Sequence, residues 1–159
     1  MTRRRLSVAL LVLVLLSGCS PAATPETAAT VKIELESLRQ RAEEGDADAQ
    51  YELGFVYARG LGVPQDYAQA ATWYRLAADQ GHAPAQLNLG VLYRDGEGVP
   101  QDYTEAHKWY NLAATRATDD REPYVKVRDL LAKSMTPAQI AEAQTLAREW
   151  QAAFDARQE

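Results

Sequence analysis

The feature that most constrains this chain is an internal repeat of 36 residues. Residues 47–82 aligned on 83–118 give 19 identities in 36 positions, with no gap. The shared residues are Ala49/Ala85, Gln50/Gln86, Leu53/Leu89, Gly54/Gly90, Tyr57/Tyr93 and Gly60/Gly96, then the run from Gly62 to Tyr67 against Gly98 to Tyr103. Ala47/Ala83, Ala70/Ala106, Trp73-Tyr74/Trp109-Tyr110 and Leu76-Ala77-Ala78/Leu112-Ala113-Ala114 complete them. A repeat of this length is one supersecondary unit that buries its apolar face only by stacking on its neighbours.

The spacing predicts two helices per unit. Positions 49, 50, 53, 54 and 57 share one helical face. Gly54 and Gly90 each cost a helix interior about 1 kcal/mol, a cost that close helix–helix approach can offset. Gly60, Gly62 and Pro64 break the helix, and Asp66 and Asp102 are placed to cap the next one. That second helix carries Ala70, Trp73, Tyr74, Ala77 and Ala78 at i, i+3, i+4, i+7 and i+8. Gly81 ends it, and Pro84 suits the first turn of the next helix.

These residues resemble the Sel1-like repeat, a relative of the tetratricopeptide repeat. The motif reads Ala49, Leu53-Gly54, Tyr57, Gly60-x-Gly62-Val63, Asp66, Ala70, Trp73-Tyr74, Ala77-Ala78 and Gly81, with partners 36 residues later. The expected fold class is all-α, a short α-solenoid of two helical hairpins (about 46–81 and 82–117) between capping helices. A stripe of Leu35, Leu38 and Ala42 predicts a preceding helix over about 31–44. Beyond the repeats, helices are expected over about 121–133, with Val127, Leu130 and Leu131 apolar, and from a Thr136-Pro137-Ala138-Gln139 capping box onward. The last of these carries Ile140, Ala143, Ala147, Trp150 and Phe154. The repeat domain then spans 31–155, with seven helices and no strand.

The first 30 residues have a different composition. Arg3, Arg4 and Arg5 precede an apolar run, Leu6–Leu16, which is shorter than the about 20 residues a membrane-spanning helix needs and fits the core of a secretory signal. Leu16-Ser17-Gly18-Cys19 is similar to the lipobox of bacterial lipoproteins. That resemblance implies cleavage of 1–18 and lipidation of Cys19, the only cysteine of the chain. It also implies an envelope location, lipid-anchored and, with Ser20 rather than Asp after the cysteine, in the outer membrane facing the periplasm. Residues 19–30, small and polar with two prolines, are expected to be a flexible tether. Removal of the three arginines shifts the net charge from −5 to −8, against nucleic-acid binding, which needs clustered Lys and Arg.

Catalytic and metal motifs are not found. Gly60-x-Gly62 and Gly96-x-Gly98 follow helices rather than strands, so they read as repeat turns and not as a nucleotide loop. Asp46-Ala47-Asp48 starts like a calcium loop, but Gln50 and the missing distal glutamate break the pattern. His82 and His107 have no partner at metal spacing and are expected at the surface. No metal, cofactor or enzymatic step is expected. The resemblance places the first helix of each hairpin on a concave face. The residues opposite the shared stripe, Tyr51, Glu52, Phe55, Arg59, Leu87, Asn88, Val91, Arg94 and Asp95, differ between repeats. Two readings stay open: packing against adjacent helices, or a groove for an envelope or periplasmic protein. The expected role is a lipid-anchored scaffold or adaptor; the alternative is a module that binds a small ligand or a cell-wall peptide.

Overall fold

A computed structural model of the chain describes residues 25–117 and 121–159. Seven α-helices and no strand are formed by the described residues: α1 Pro25–Glu43, α2 Ala47–Arg59, α3 Tyr67–Asp79, α4 Ala83–Asp95, α5 Tyr103–Arg116, α6 Glu122–Ala132 and α7 Pro137–Asp155. Helices α2 with α3, and α4 with α5, form the two hairpins. Asp46, Asp66 and Asp102 cap α2, α3 and α5, each accepting from two backbone N–H groups of the first turn. Gly60 and Gly96, at φ +67° and +70°, end α2 and α4. Thr136 and Gln139 form the expected capping box of α7.

Close approach within each hairpin rests on the two helical glycines. A methyl group at Gly54 would lie 2.6 Å from the Tyr74 ring, and one at Gly90 would lie 2.6 Å from Tyr110. Both tyrosines are buried, with Ala70, Ala77, Ala78, Ala106, Ala113 and Ala114 around them. Small residues let the backbones approach, and the aromatic rings fill the space between them. Two polar contacts repeat in the same register. The Gln50 and Gln86 amides donate to the carbonyls of Ala42 and Ala78, and the guanidinium groups of Arg39 and Arg75 donate to the hydroxyls of Tyr57 and Tyr93.

Residues 31–43 of α1 occupy the register of α3, and Val31 packs against the Gly62 turn. Positions held by Ala70 and Ala77 in α3 are Glu34 and Arg41 in α1, both exposed. α1 therefore presents a polar face where an internal repeat is apolar. It starts at Pro25, six residues before the expected helix, so its first turns lie in the segment expected to be tether. Proline fits the first helical turn, and Glu26, Ala28 and Ala29 suit a helix start. Cys19 and the rest of the signal and tether, 1–24, lie outside the described residues.

At the other end, α6 packs on α5, and α7 also lies along α5. Trp150 of α7 meets Trp109 edge-on at 6.0 Å, which completes the burial of Trp109 where its counterpart Trp73 is half-exposed. Arg116 lies over the Phe154 ring at 3.8 Å and bonds to Gln151.

Three sequence expectations are corrected. Leu130 is exposed, and Leu131 and Val127 make the contacts of α6. His82 is half-buried and caps α4. His107 is only 3% exposed. It occupies the position of Ala71, itself buried, because α6 covers that side of α5.

This packing has two testable consequences. Gly54→Ala and Gly90→Ala place a methyl against a fixed ring, and overpacking of this kind costs roughly 1–3 kcal/mol, more than the about 1 kcal/mol helix propensity gained. Both should lower the urea midpoint. Burial, and then the Arg128 guanidinium, hold His107 below its usual imidazole value, with Asp129 opposing. The unfolded chain therefore binds the proton more readily. Stability is complete above about pH 6.5 and falls as pH drops through the lower folded-state value. Urea titrations at pH 7 and pH 5 should show this loss, and His107→Ala should reduce it.

Candidate functional site

The nine residues expected on the concave face separate into two groups. Phe55 packs against the central core, and Leu87 and Val91 pack against the cluster containing Leu131 and Met135. Their apolar character is explained by contact between successive hairpins. Arg94 and Asp95 are committed to each other through two 2.7 Å bonds, and this pairing holds the Asp95 carboxyl below the usual range. Arg59 is exposed and lies over the Phe55 ring at 5.5 Å. Glu52 pairs with Arg41 at 3.4 Å. Burial, the largest influence, nevertheless raises its carboxyl, with Asp48 and Asp46 adding to the rise and Arg41 opposing it.

Tyr51 and Asn88 belong to a second group that draws in residues the sequence did not single out. Asn88 of α4 lies beside the hydroxyls of Tyr51 from α2 and Tyr74 from α3, close enough to influence both phenols. The Tyr51 and Tyr74 rings are 5.9 Å apart. Tyr124 of α6 lies within electrostatic reach of Tyr51, although the two belong to the first and third helical layers. Tyr51, Asn88 and Tyr124 thus share one strip across three layers, on the side expected to be concave. Burial raises the Tyr51 phenol, helped by Tyr124 and Glu52, while the Asn88 side chain opposes the rise. Burial likewise raises Tyr74, with Asn88 opposing.

The repeat register held the missing signal. Position 88 plus 36 is 124, so Tyr124 stands where Asn88 stands, one unit on. Tyr74 is the wedge residue that its spacing implies, but its hydroxyl also reaches the inner side. Its counterpart Tyr110 does not repeat this arrangement. The Tyr110 hydroxyl is buried with no hydrogen-bond partner among the described residues, and burial, the main cause, pushes the phenol up to about 12. The His82 ring adjoins the strip, 4.8 Å from Tyr51, and pairs with Asp48 at 3.2 Å.

The strip offers hydroxyl and amide groups between aromatic faces, suited to reversible contact with a peptide surface. Among the described residues no cluster of His, Cys, Asp or Glu could hold a metal, and no helix is long and apolar enough to cross a membrane.

The fold and register define an all-α solenoid of Sel1-type hairpins. The Sel1 repeat model matches residues 47–82 and 83–117, so the chain carries two Sel1 repeats, a module that generally mediates protein–protein interaction. The crystal structure of c5321, a protective antigen of uropathogenic Escherichia coli strains with an SLR fold, is similar over 73% of this chain and 24% of that one, at TM-score 0.68 and 36% identity. The secretory immunoglobulin A-binding protein EsiB of Escherichia coli O6:H1 is 47% identical over 45 residues, 28% of this chain. A Sel1 repeat protein from Oxalobacter formigenes matches 56% of this chain and 39% of that one, at TM-score 0.45 and 35% identity. The chain spans 9% of the length of EsiB and 24% of the c5321 chain.

Equivalent tyrosines in unequal surroundings give a direct test. Tyr74→Phe removes a hydroxyl that lies beside Asn88 and should cost up to about 1.5 kcal/mol. Tyr110→Phe removes an unpartnered one and should be neutral or stabilising. Urea unfolding of both variants beside the parent measures the contrast.

Proposed function

We propose that this protein is a lipid-anchored adaptor of the bacterial envelope that captures a protein partner on the inner side of its solenoid. The observation that carries the reading is the convergence of Tyr51, Tyr74, Asn88 and Tyr124 from four helices onto one strip. Two further points support it. Asn88 and its repeat equivalents Glu52 and Tyr124 differ in identity, as expected at a position outside the shared packing stripe. Glu52 and Arg59, within electrostatic reach of Tyr51 and Tyr74, supply charge of both signs beside the aromatic centre. EsiB is named for binding secretory immunoglobulin A; from that similarity only the broad class of partner, a protein, is carried over.

The anchor half of the proposal rests on Leu16-Ser17-Gly18-Cys19. Several acyl chains on Cys19 would hold the domain at the membrane, where one chain is marginal. Tethering raises the local concentration of whatever the strip captures. No covalent step is involved.

Both halves are open to experiment. Cys19→Ala should abolish labelling by a palmitate analogue and release the protein from membranes; persistent labelling would remove the anchor. Asn88→Ala with Tyr124→Ala should reduce envelope proteins captured by cross-linking about tenfold or more, with unchanged helical circular dichroism. An unchanged capture profile would exclude the strip.

A further inference from the structure

We propose that His82 is an acid-sensitive cap on α4, which couples proton uptake to the order of the inner strip. The two repeats differ at this point. Position 46 is aspartate and position 82, its equivalent, is histidine. The Asp46 carboxylate accepts from the N–H groups of Asp48 and Ala49 at 3.0 and 3.2 Å. This cap presents only carboxylate oxygens, which accept, to the N–H groups. His82 caps α4 by a different chemistry. Its Nδ1 accepts from the Ala85 N–H at 3.2 Å, and its Nε2 lies 3.2 Å from the Asp48 Oδ1.

These two contacts require one protonation state. Nδ1 must carry a lone pair toward Ala85, and Nε2 must carry the proton toward Asp48, so only the neutral Nε2–H tautomer satisfies both. A second proton can enter only at Nδ1. It converts the acceptor into a donor facing another donor, and the Ala85 N–H loses its partner. A positive ring also opposes the positive end of the α4 dipole.

The surroundings set the balance. From α2, Asp48 and Tyr51 face the ring; from α5, Arg116 covers the adjoining Gly81. Asp48 favours the protonated ring, but burial is the larger influence and holds His82 below its usual range. The folded state thus favours the capping form, and the cap is complete above about pH 6.5 and lost as pH falls through the lower folded-state value.

The cap reaches the strip by two short routes. The His82 ring packs on Tyr51, and α4 carries Asn88 six residues further along. Loss of the cap frees the first turn of α4 and the ring against Tyr51. The switch stands on the cap geometry alone, so it can fail or hold independently of partner capture.

Nuclear magnetic resonance on the isotope-labelled full chain tests it. At pH 7.5, long-range proton–nitrogen correlations should show His82 Nδ1 as the unprotonated nitrogen. Titration to pH 5 should give a His82 midpoint below 6.5. Across that midpoint the Ala85 amide should lose protection about tenfold or more, after correction for intrinsic exchange, while Ala49 under Asp46 keeps its own. His82→Asn, a cap that does not titrate, should abolish the Ala85 change. A protonated Nδ1 at pH 7.5, unchanged Ala85 protection in the parent, or the same loss in His82→Asn would each overturn the proposal.

Discussion

The approach of Gly54 to Tyr74 and of Gly90 to Tyr110 is the contact on which the rest of the molecule depends. Without a Cβ at 54 and 90, the ring faces lie against the helix backbone, and the two helices of each hairpin pack closely enough to bury the alanines between them. That geometry sets how the two helices of a hairpin pack, and the second hairpin repeats it. The inner strip depends on the resulting stack, in which Tyr124 comes within electrostatic reach of Tyr51 across the intervening repeat. A glycine that is unfavourable as a local helix residue thereby determines a surface two layers away.

The hairpins were legible in the sequence because every element of them is written twice. Helix bounds, the Asp66 and Asp102 caps, the glycine turns that end the first helices and the aromatic pair recur at 36 residues. The ends were less legible because they occur once. α1 continues six residues toward the N-terminus, where proline and alanine permit helix and no repeat marks a boundary. Apolarity alone points Leu130 inward, whereas the packing of α6 against α5 turns Val127 and Leu131 inward. His107 looks exposed in the sequence because nothing there shows that α6 covers the outward side of α5. Ala71, small enough to suit either environment, gives no warning that its position is buried.

The concave residues show the same limit in another form. A helical projection separates the shared stripe from its opposite face but does not distinguish inter-hairpin packing from a free surface. Phe55, Leu87 and Val91 lie on that opposite face and serve packing. Tyr51 and Asn88 lie there as well, yet contribute to the strip. What separates the groups is the curvature of the stack and the identity of the next first helix, both products of tertiary assembly.

Equivalent positions with unequal residues carry the most functional meaning in a molecule built this way. Where both repeats pack in the same surroundings the residues agree, as at 53/89, 70/106 and 77/113. Disagreement marks either a change of packing surroundings, as at 55/91 and 71/107, or a position where something other than packing acts. At 80/116 the difference is structural: Gln80 bonds to Gln50, whereas Arg116 is drawn away to Phe154 and Gln151 of α7. The Gln86 Oε1 is consequently left without a partner among the described residues. At 46/82 no capping helix accounts for the change, and at 88/124 the second residue lies on α6 itself. Both pairs adjoin Tyr51, the residue at which the cap, the strip and the third layer meet. Divergence within the repeat therefore converges in space on the one surface that the repeat itself does not require for folding.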